Sequence, residues 1–309
     1  MVTDLLSLVL YLQPLKQTAP ETPAPPWWGR AVHALLLDVV RQAAPALAEK
    51  LHDESTLRPF TASTLIGRFP GGRLDLEGTY TLRLTALQSE VAAILLEAAQ
   101  EGMLAVGKTV ELDYLTFRIV GPHPRPLSQG ERGESPTPQT LSQGEESPWV
   151  AATNYQELSA PYLLAKETAP RRVTLQFASP TTFKSGGKHV PIPLPDLVFG
   201  SLLERWNAFA PIAFPPEVKR YAEECLAVAQ YKLSSRAVQM GSSNLRVGAV
   251  GEISYITLNY DRYWMSIIAT LAKIALFSGV GAGTSQGLGQ CRMAAGSPHE
   301  GRRSSEAAI

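Results

Sequence analysis

The chain has 309 residues, 45% of them apolar, and its 28 basic side chains balance 28 acidic ones, so the formal net charge is zero. That balance excludes a broad electrostatic grip on nucleic acid and leaves room only for a local basic patch. Two cysteines, Cys225 and Cys291, are too few for a metal knuckle or a disulfide framework and fit a reducing cytoplasm.

At the N-terminus, Leu6, Leu8, Leu10 and Leu12 alternate with Ser7, Val9, Tyr11 and Gln13, which is the period of a strand. Asp4 stands where a secretory leader would carry positive charge. A helix over about 29–43 follows, with Val32, Leu36, Val40 and Ala43 as its apolar stripe. Pro45 breaks it, and a short second helix over ALAEK leads to His52. Strands are expected at about 58–66 and 79–86. A helix over about 88–101 rests on Val91, Ile94, Leu95 and Ala98, and a strand covers 109–119.

Residues 121–148 hold six prolines and the pentapeptide LSQGE twice, with almost nothing apolar to bury, and read as a disordered insertion. Beyond it come a strand at RRVTLQFAS, a helix at DLVFGSLLERWNAF and another from Pro216 to Val228. The strands YKLSSRAVQM and VGAVGEISYITL flank the turn GSSNLR. A helix over 262–277 and a strand from Leu288 close the pattern. The apolar run from Trp264 to Phe277 is too short for a bilayer and contains Lys273, so no membrane partner is expected. Each half reads β-α-β-β-α-β, which predicts an α+β protein of two tandem ferredoxin-like domains, residues 1–120 and 149–295, with a flexible tail at 296–309. Such a fold carries no function by itself.

Of five histidines, two fall in the insertion and the tail. His33 lies in the second turn of the first long helix beside its apolar stripe, with Arg30 three residues earlier on the same face. His52 follows the second helix. Two histidines on helices folded around one proline bend are able to converge, and histidine both takes and gives a proton near neutral pH. The plainer alternative is a helix-surface histidine and a helix-end histidine favoured by the dipole. No H-E-x-x-H or Asp-x-Asp occurs, so neither a metal nor a cofactor is expected.

Basic residues gather in two further places: Lys184 and Lys188 around a Gly-Gly pair next to His189, and Lys232, Arg236 and Arg246 on the paired strands. Lys232 and Arg236 share a strand face. The third unusual segment is GVGAGTSQGLGQCRM, with Gly279, Gly281, Gly283, Gly287 and Gly289. Its spacing and its helix-to-strand order rule out both the dinucleotide fingerprint and the P-loop. Either it is a close-packed connection, or, with the two basic segments, it meets an elongated polyanion such as RNA.

These residues resemble the CRISPR repeat-processing endoribonucleases, the sixth numbered family of Cas proteins. GRAVHALLLDVVRQAAPALAEKLHD followed by LRPFTAS is similar to that family's first helix and its exit. SPTTFKSGG with LVFGSLLERWNAF resembles its second-half signature, and GVGAGTSQGLGQ its C-terminal glycine-rich loop. The insertion has no counterpart there. The resemblance implies a metal-independent cut within the repeat of a precursor CRISPR RNA, by 2′-hydroxyl attack that leaves a 2′,3′-cyclic phosphate and a 5′-hydroxyl. It assigns acid–base work to His33 and His52 and charge stabilisation to Arg30. Lys184, Lys188, Lys232, Arg236, Arg246 and the five glycines would contact RNA. Other Cas subunits and a second copy of the chain are further candidate partners. The alternative is a non-catalytic guide-RNA-binding subunit of an effector complex, which would have no need of the histidine pair.

Overall fold

The computed structural model describes residues 2–15, 24–52, 57–120, 147–164, 166–241 and 245–294, with the side chain of His52 outside that set. The proposed insertion up to residue 146 and the tail from 296 lie outside the described residues. In chain order the elements of the first half are β1 (Leu5–Pro14), α1 (Gly29–Ala43), α2 (Pro45–His52), β2 (Phe60–Ala62), β3 (Tyr80–Ala86), α3 (Ser89–Gln100), β4 (Thr109–Leu112) and β5 (Leu115–Ile119). The second half has β6 (Ala151–Thr153), α4 (Tyr155–Leu163), β7 (Arg172–Thr181), β8 (Phe183–Ser185), β9 (Lys188–Val190), α5 (Pro195–Phe209) and α6 (Glu217–Cys225). It ends with β10 (Leu226–Gln239), β11 (Leu245–Thr257), α7 (Arg262–Ser278) and β12 (Cys291–Met293). Among the described residues no helix is long and apolar enough to cross a membrane.

The first sheet runs β2-β3-β1-β5-β4 and the second β10-β11-β7-β12, each pair antiparallel. Both carry the ferredoxin-like order, so the expected fold class holds. Leu6, Leu8, Leu10 and Leu12 face a core shared with Val32, Leu36, Val40, Val91 and Leu95. Each such side chain taken fully out of water stabilises the fold by roughly 1.5–3 kcal/mol. Ala43, expected in that stripe, is exposed at the helix end.

The sequence reading departs from the structure at several places. Residues 109–119 form a hairpin rather than one strand, because Asp113 adopts φ 54 and turns the chain between Leu112 and Leu115. Aspartate tolerates that left-handed conformation better than most residues. The second strand shrinks to Phe60–Ala62, and the helix from 216 gives way to β10 at Leu226. Residues 151–153 pair with β1 and so extend the first sheet, although they follow the insertion. The β8–β9 hairpin was not anticipated.

The polar face of the first sheet is closed by the second unit. Arg83, 4% exposed, donates from Nε to Gln290 Oε1 at 2.9 Å and from Nη1 to Ser7 Oγ at 3.1 Å and to the Leu276 carbonyl. Thr85 Oγ1 donates to the Phe277 carbonyl at 2.6 Å. Trp149 stacks beneath Arg83 at 5.0 Å and Arg292 at 5.4 Å, while its carbonyl accepts from Ser7. Burial pulls the Arg83 guanidinium down to about 9, so it remains a cation at neutral pH, held by neutral acceptors and an aromatic face. This buried hub fixes α7, and the glycine-rich loop that follows it, against the first sheet.

Candidate active site

His33 projects from α1 one turn after Gly29, and the loop from the far end of the chain lies across that turn. A Cβ built on Gly29 would stand 1.7 Å from the Gln286 carbonyl oxygen, so no other residue fits there. Trp27 Nε1 donates to the same carbonyl at 2.7 Å. Gly287 makes a parallel bridge with Ser63, just past β2, so the loop continues the edge of the first sheet.

His33 is half-buried, and both ring nitrogens are engaged. Nδ1 lies 3.0 Å from the Ser285 carbonyl oxygen, and Nε2 lies 3.1 Å from Arg58 Nη1. A carbonyl only accepts, so Nδ1 carries a proton. A guanidinium only donates, so Nε2 presents its lone pair to Arg58. The chemistry of the two neighbours therefore sets one tautomer of neutral imidazole, with its basic nitrogen turned toward a cation. Phe60 packs on the ring at 5.5 Å, and Arg58 also reaches Ser285 Oγ at 3.4 Å.

His33 borders a pocket of about 280 Å³, lined also by Arg30, Ala34, Leu37, Asp38, Arg41, Arg58 and Gln286. Arg41 is paired with Asp38 at 2.5 Å on the exposed rim. Arg30 lines the pocket as expected from its helical spacing, but it is exposed, and among the described residues Arg58 is the cation at hydrogen-bond distance from His33. Arg58 escaped the sequence reading. Its one local signal is its place before Pro59, which biases the residue ahead of it toward extended backbone. His52 ends α2; its side chain lies outside the described residues.

Of the residues expected to contact RNA, Lys184 and Lys188 are exposed on the β8–β9 hairpin. His189, opposite Lys184, has its protonation disfavoured first by burial and then by Arg246 and Lys184, which brings the two basic segments together electrostatically. Lys232 and Arg236 are exposed on β10 at the edge of the second sheet, opposite Glu252 and Gly248. The five loop glycines all adopt positive φ, from 61 to 93. A Cβ on Gly281 would stand 2.4 Å from the Thr182 carbonyl, on Gly289 2.0 Å from that of Val280, and on Gly287 2.9 Å from Thr64 N and Trp27. Their bare faces are turned onto protein. Among the described residues, no group of three or more His, Cys, Asp or Glu is placed to hold a metal ion.

Two ferredoxin-like units stand in tandem, and the last loop of the second docks on a histidine of the first. Models of two domains of one family match it: the Cas6 N-terminal domain over residues 5–75 and the CRISPR-associated endoribonuclease Cas6 over residues 175–291. The chain belongs to the Cas6 family. It is similar to a solved Cas6 product complex, with 25% identity and a TM-score of 0.69 over 96% of this chain and 100% of that one. It is also similar to Thermus thermophilus Cas6, with 26% identity and a TM-score of 0.62 over 95% and 100% of the respective chains. The Cas6 endoribonuclease of Mycobacterium tuberculosis is 28% identical over 131 residues, 42% of this chain and 41% of the length of that relative.

Proposed function

We propose that this protein cuts precursor CRISPR RNA within the repeat, without metal, through attack of a ribose 2′-hydroxyl on the adjacent phosphorus. The observation that carries this reading is the pair of contacts at the His33 ring, the Ser285 carbonyl at Nδ1 and Arg58 at Nε2. The Nε2 lone pair, set by Ser285 and turned toward Arg58 beside an arginine-lined pocket, suits removal of the 2′-hydroxyl proton once RNA takes the place of that contact. The oxygen then bonds to phosphorus, the bond to the 5′-oxygen breaks, and a 2′,3′-cyclic phosphate and a 5′-hydroxyl result. The leaving 5′-oxygen needs a proton, and His52 is our candidate donor.

Arg58 suits the phosphate oxygens, whose negative charge grows at the transition state. A guanidinium beside the site needs no reorganisation to meet it. Arg30 and Arg41 line the same pocket and would suit neighbouring phosphates. Lys184, Lys188, Lys232, Arg236 and Arg246 would extend the contact along the second unit.

The test is incubation with the repeat RNA of a CRISPR array adjoining the coding gene, in EDTA, followed by analysis of the product ends. Cleavage that persists, yields the cyclic phosphate and stops when the nucleotide at the cut lacks its 2′-hydroxyl supports the mechanism. A strict need for magnesium refutes it.

A further inference from the structure

The carbonyl that fixes His33 belongs to a loop that is itself held by a buried cation in the second unit. Arg205, on α5, is 7% exposed. From Nη1 it donates to Ser201 Oγ at 2.7 Å and to the Ser201 carbonyl at 3.1 Å, which anchors it on its own helix. From Nη2 it donates to the Gly281 carbonyl at 2.6 Å and to Thr284 Oγ1 at 3.3 Å. Ser201 Oγ accepts in turn from Gly281 N at 2.9 Å. Thus α5 grips both polar groups of Gly281 and the side chain of Thr284, and the residue after Thr284 is Ser285.

The loop between these points has little freedom. Ala282 N donates to the Thr182 carbonyl at 2.8 Å, and Gln286 N and Leu288 N both donate to the Gly283 carbonyl, at 2.9 and 3.2 Å. A shift of Thr284 therefore carries Ser285 with it. Burial lowers the Arg205 guanidinium to about 10, so it is charged at neutral pH. A buried cation whose hydrogen-bond partners are all neutral is costly to keep, since desolvation is offset only by those bonds and by the charge of the neighbouring Glu204. Such a group stays where the geometry it imposes is used.

We infer that Arg205 is a positioning residue: through Gly281 and Thr284 it holds the Ser285 carbonyl where His33 Nδ1 must donate to it, and so, together with Arg58, selects the tautomer whose Nε2 carries no proton. The inference rests on the proposed role of His33 in RNA cleavage, but its first step, the tautomer, can be read without RNA. A displacement of about 1 Å in a catalytic constellation costs roughly a hundredfold in rate.

The experiment compares wild type with Arg205→Met, Arg205→Lys and Ser201→Ala. Three readouts are needed: long-range ¹H–¹⁵N spectra of the His33 ring, assigned with His33→Ala; single-turnover cleavage at saturating repeat RNA; and the dissociation constant for that RNA. In wild type Nδ1 should appear protonated and Nε2 bare. In Arg205→Met that preference should weaken, cleavage should fall about a hundredfold, and RNA affinity should stay within about twofold. Arg205→Lys, which keeps a donor but not the fork, should recover part of both losses. Unchanged His33 signals and an unchanged rate in a folded Arg205→Met protein would overturn the inference. If that variant does not fold, Ser201→Ala decides: a partial loss of the same tautomer supports the inference, and wild-type signals overturn it. A wild type that fails to cut repeat RNA while Arg205→Met still changes the tautomer would refute the nuclease reading and leave the positioning role standing.

Discussion

His33 and Ser285 are separated by 252 positions in sequence, yet the ring nitrogen of one and the carbonyl of the other meet at 3.0 Å. The contact joins the first helix of one ferredoxin-like unit to the last loop of the other. The basic nitrogen of the candidate site is therefore a product of how the two units dock. Neither unit alone contains it.

His33→Ala should remove the chemical step by roughly a hundredfold or more, as expected for a true general base, and leave repeat-RNA affinity close to wild type. Arg58→Ala should cost about 100-fold to 1,000-fold in the same step, the scale for losing one preorganised donor at a developing oxyanion. Arg30→Ala should act mainly on affinity, because Arg30 is exposed on the pocket whereas Arg58 lies at hydrogen-bond distance from the ring. Single-turnover rates and filter binding on the three variants separate these effects. Equal losses of rate in Arg30→Ala and Arg58→Ala would put both cations at the reacting phosphate.

The fold was legible because its signals are local. The period of two in Leu6–Leu12 and the stripe Val32, Leu36, Val40 are set by which face of one element meets the core. His33 was legible for the same reason, as a histidine beside that stripe. Arg58 was not, since only the path of the chain after α2 brings it to His33. Ser285, Gln286 and Trp27 were illegible too, because their roles are carbonyl and indole contacts across the domain junction. Glycine density announced the loop correctly, but it does not tell which side of the backbone is crowded. Positive φ and close approach turn out to be required against protein, at Thr182, Thr64 and Trp27. Likewise Asp113 split an apparent single strand through one backbone angle.

Lys232 and Arg236, exposed on the same face of β10, should bind RNA through its phosphates. Alanine at either position should then flatten the log–log dependence of affinity on salt by about 0.7 per phosphate on a single strand. The measurement is a salt series with the non-cutting His33→Ala background. A slope identical to the parent at both positions would remove β10 from the RNA surface.

His189 gives a pH dependence whose sign differs between free and bound protein. Burial, Arg246 and Lys184 hold its pKa below the ordinary value of 6.5. The unfolded chain then binds the proton more readily, so in the free protein this group lowers stability as pH falls through about 6.5. A phosphate placed among His189, Arg246 and Lys184 would favour the protonated ring instead. RNA affinity in the His33→Ala background should rise as pH drops from about 7.5 to 5.5, and His189→Gln should flatten that rise. Parallel pH curves for the two proteins would show that no phosphate lies there.

Gly287 tests what the glycine-rich loop is for. Its φ is 93, and a Cβ there would stand 2.9 Å from both Thr64 N and the Trp27 ring. Gly107 supplies the control, because its φ is 87 and a Cβ there would meet nothing within 4 Å. Alanine at either site carries a similar left-handed strain, about 1–2 kcal/mol, while only Gly287→Ala adds the clash with the first unit. Gly287→Ala should therefore melt lower than Gly107→Ala, by roughly 2–4 °C for each further kcal/mol in a domain of this size. It should also lose cleavage, because pushing residue 287 away from Thr64 and Trp27 moves the neighbouring Gln286 and Ser285 off α1. Gly107→Ala should cut RNA at the parent rate. Equal melting temperatures, with Gly287→Ala binding RNA poorly and still cutting at the parent rate once saturated, would mean that the loop meets RNA at this glycine and that docking tolerates the extra methyl group.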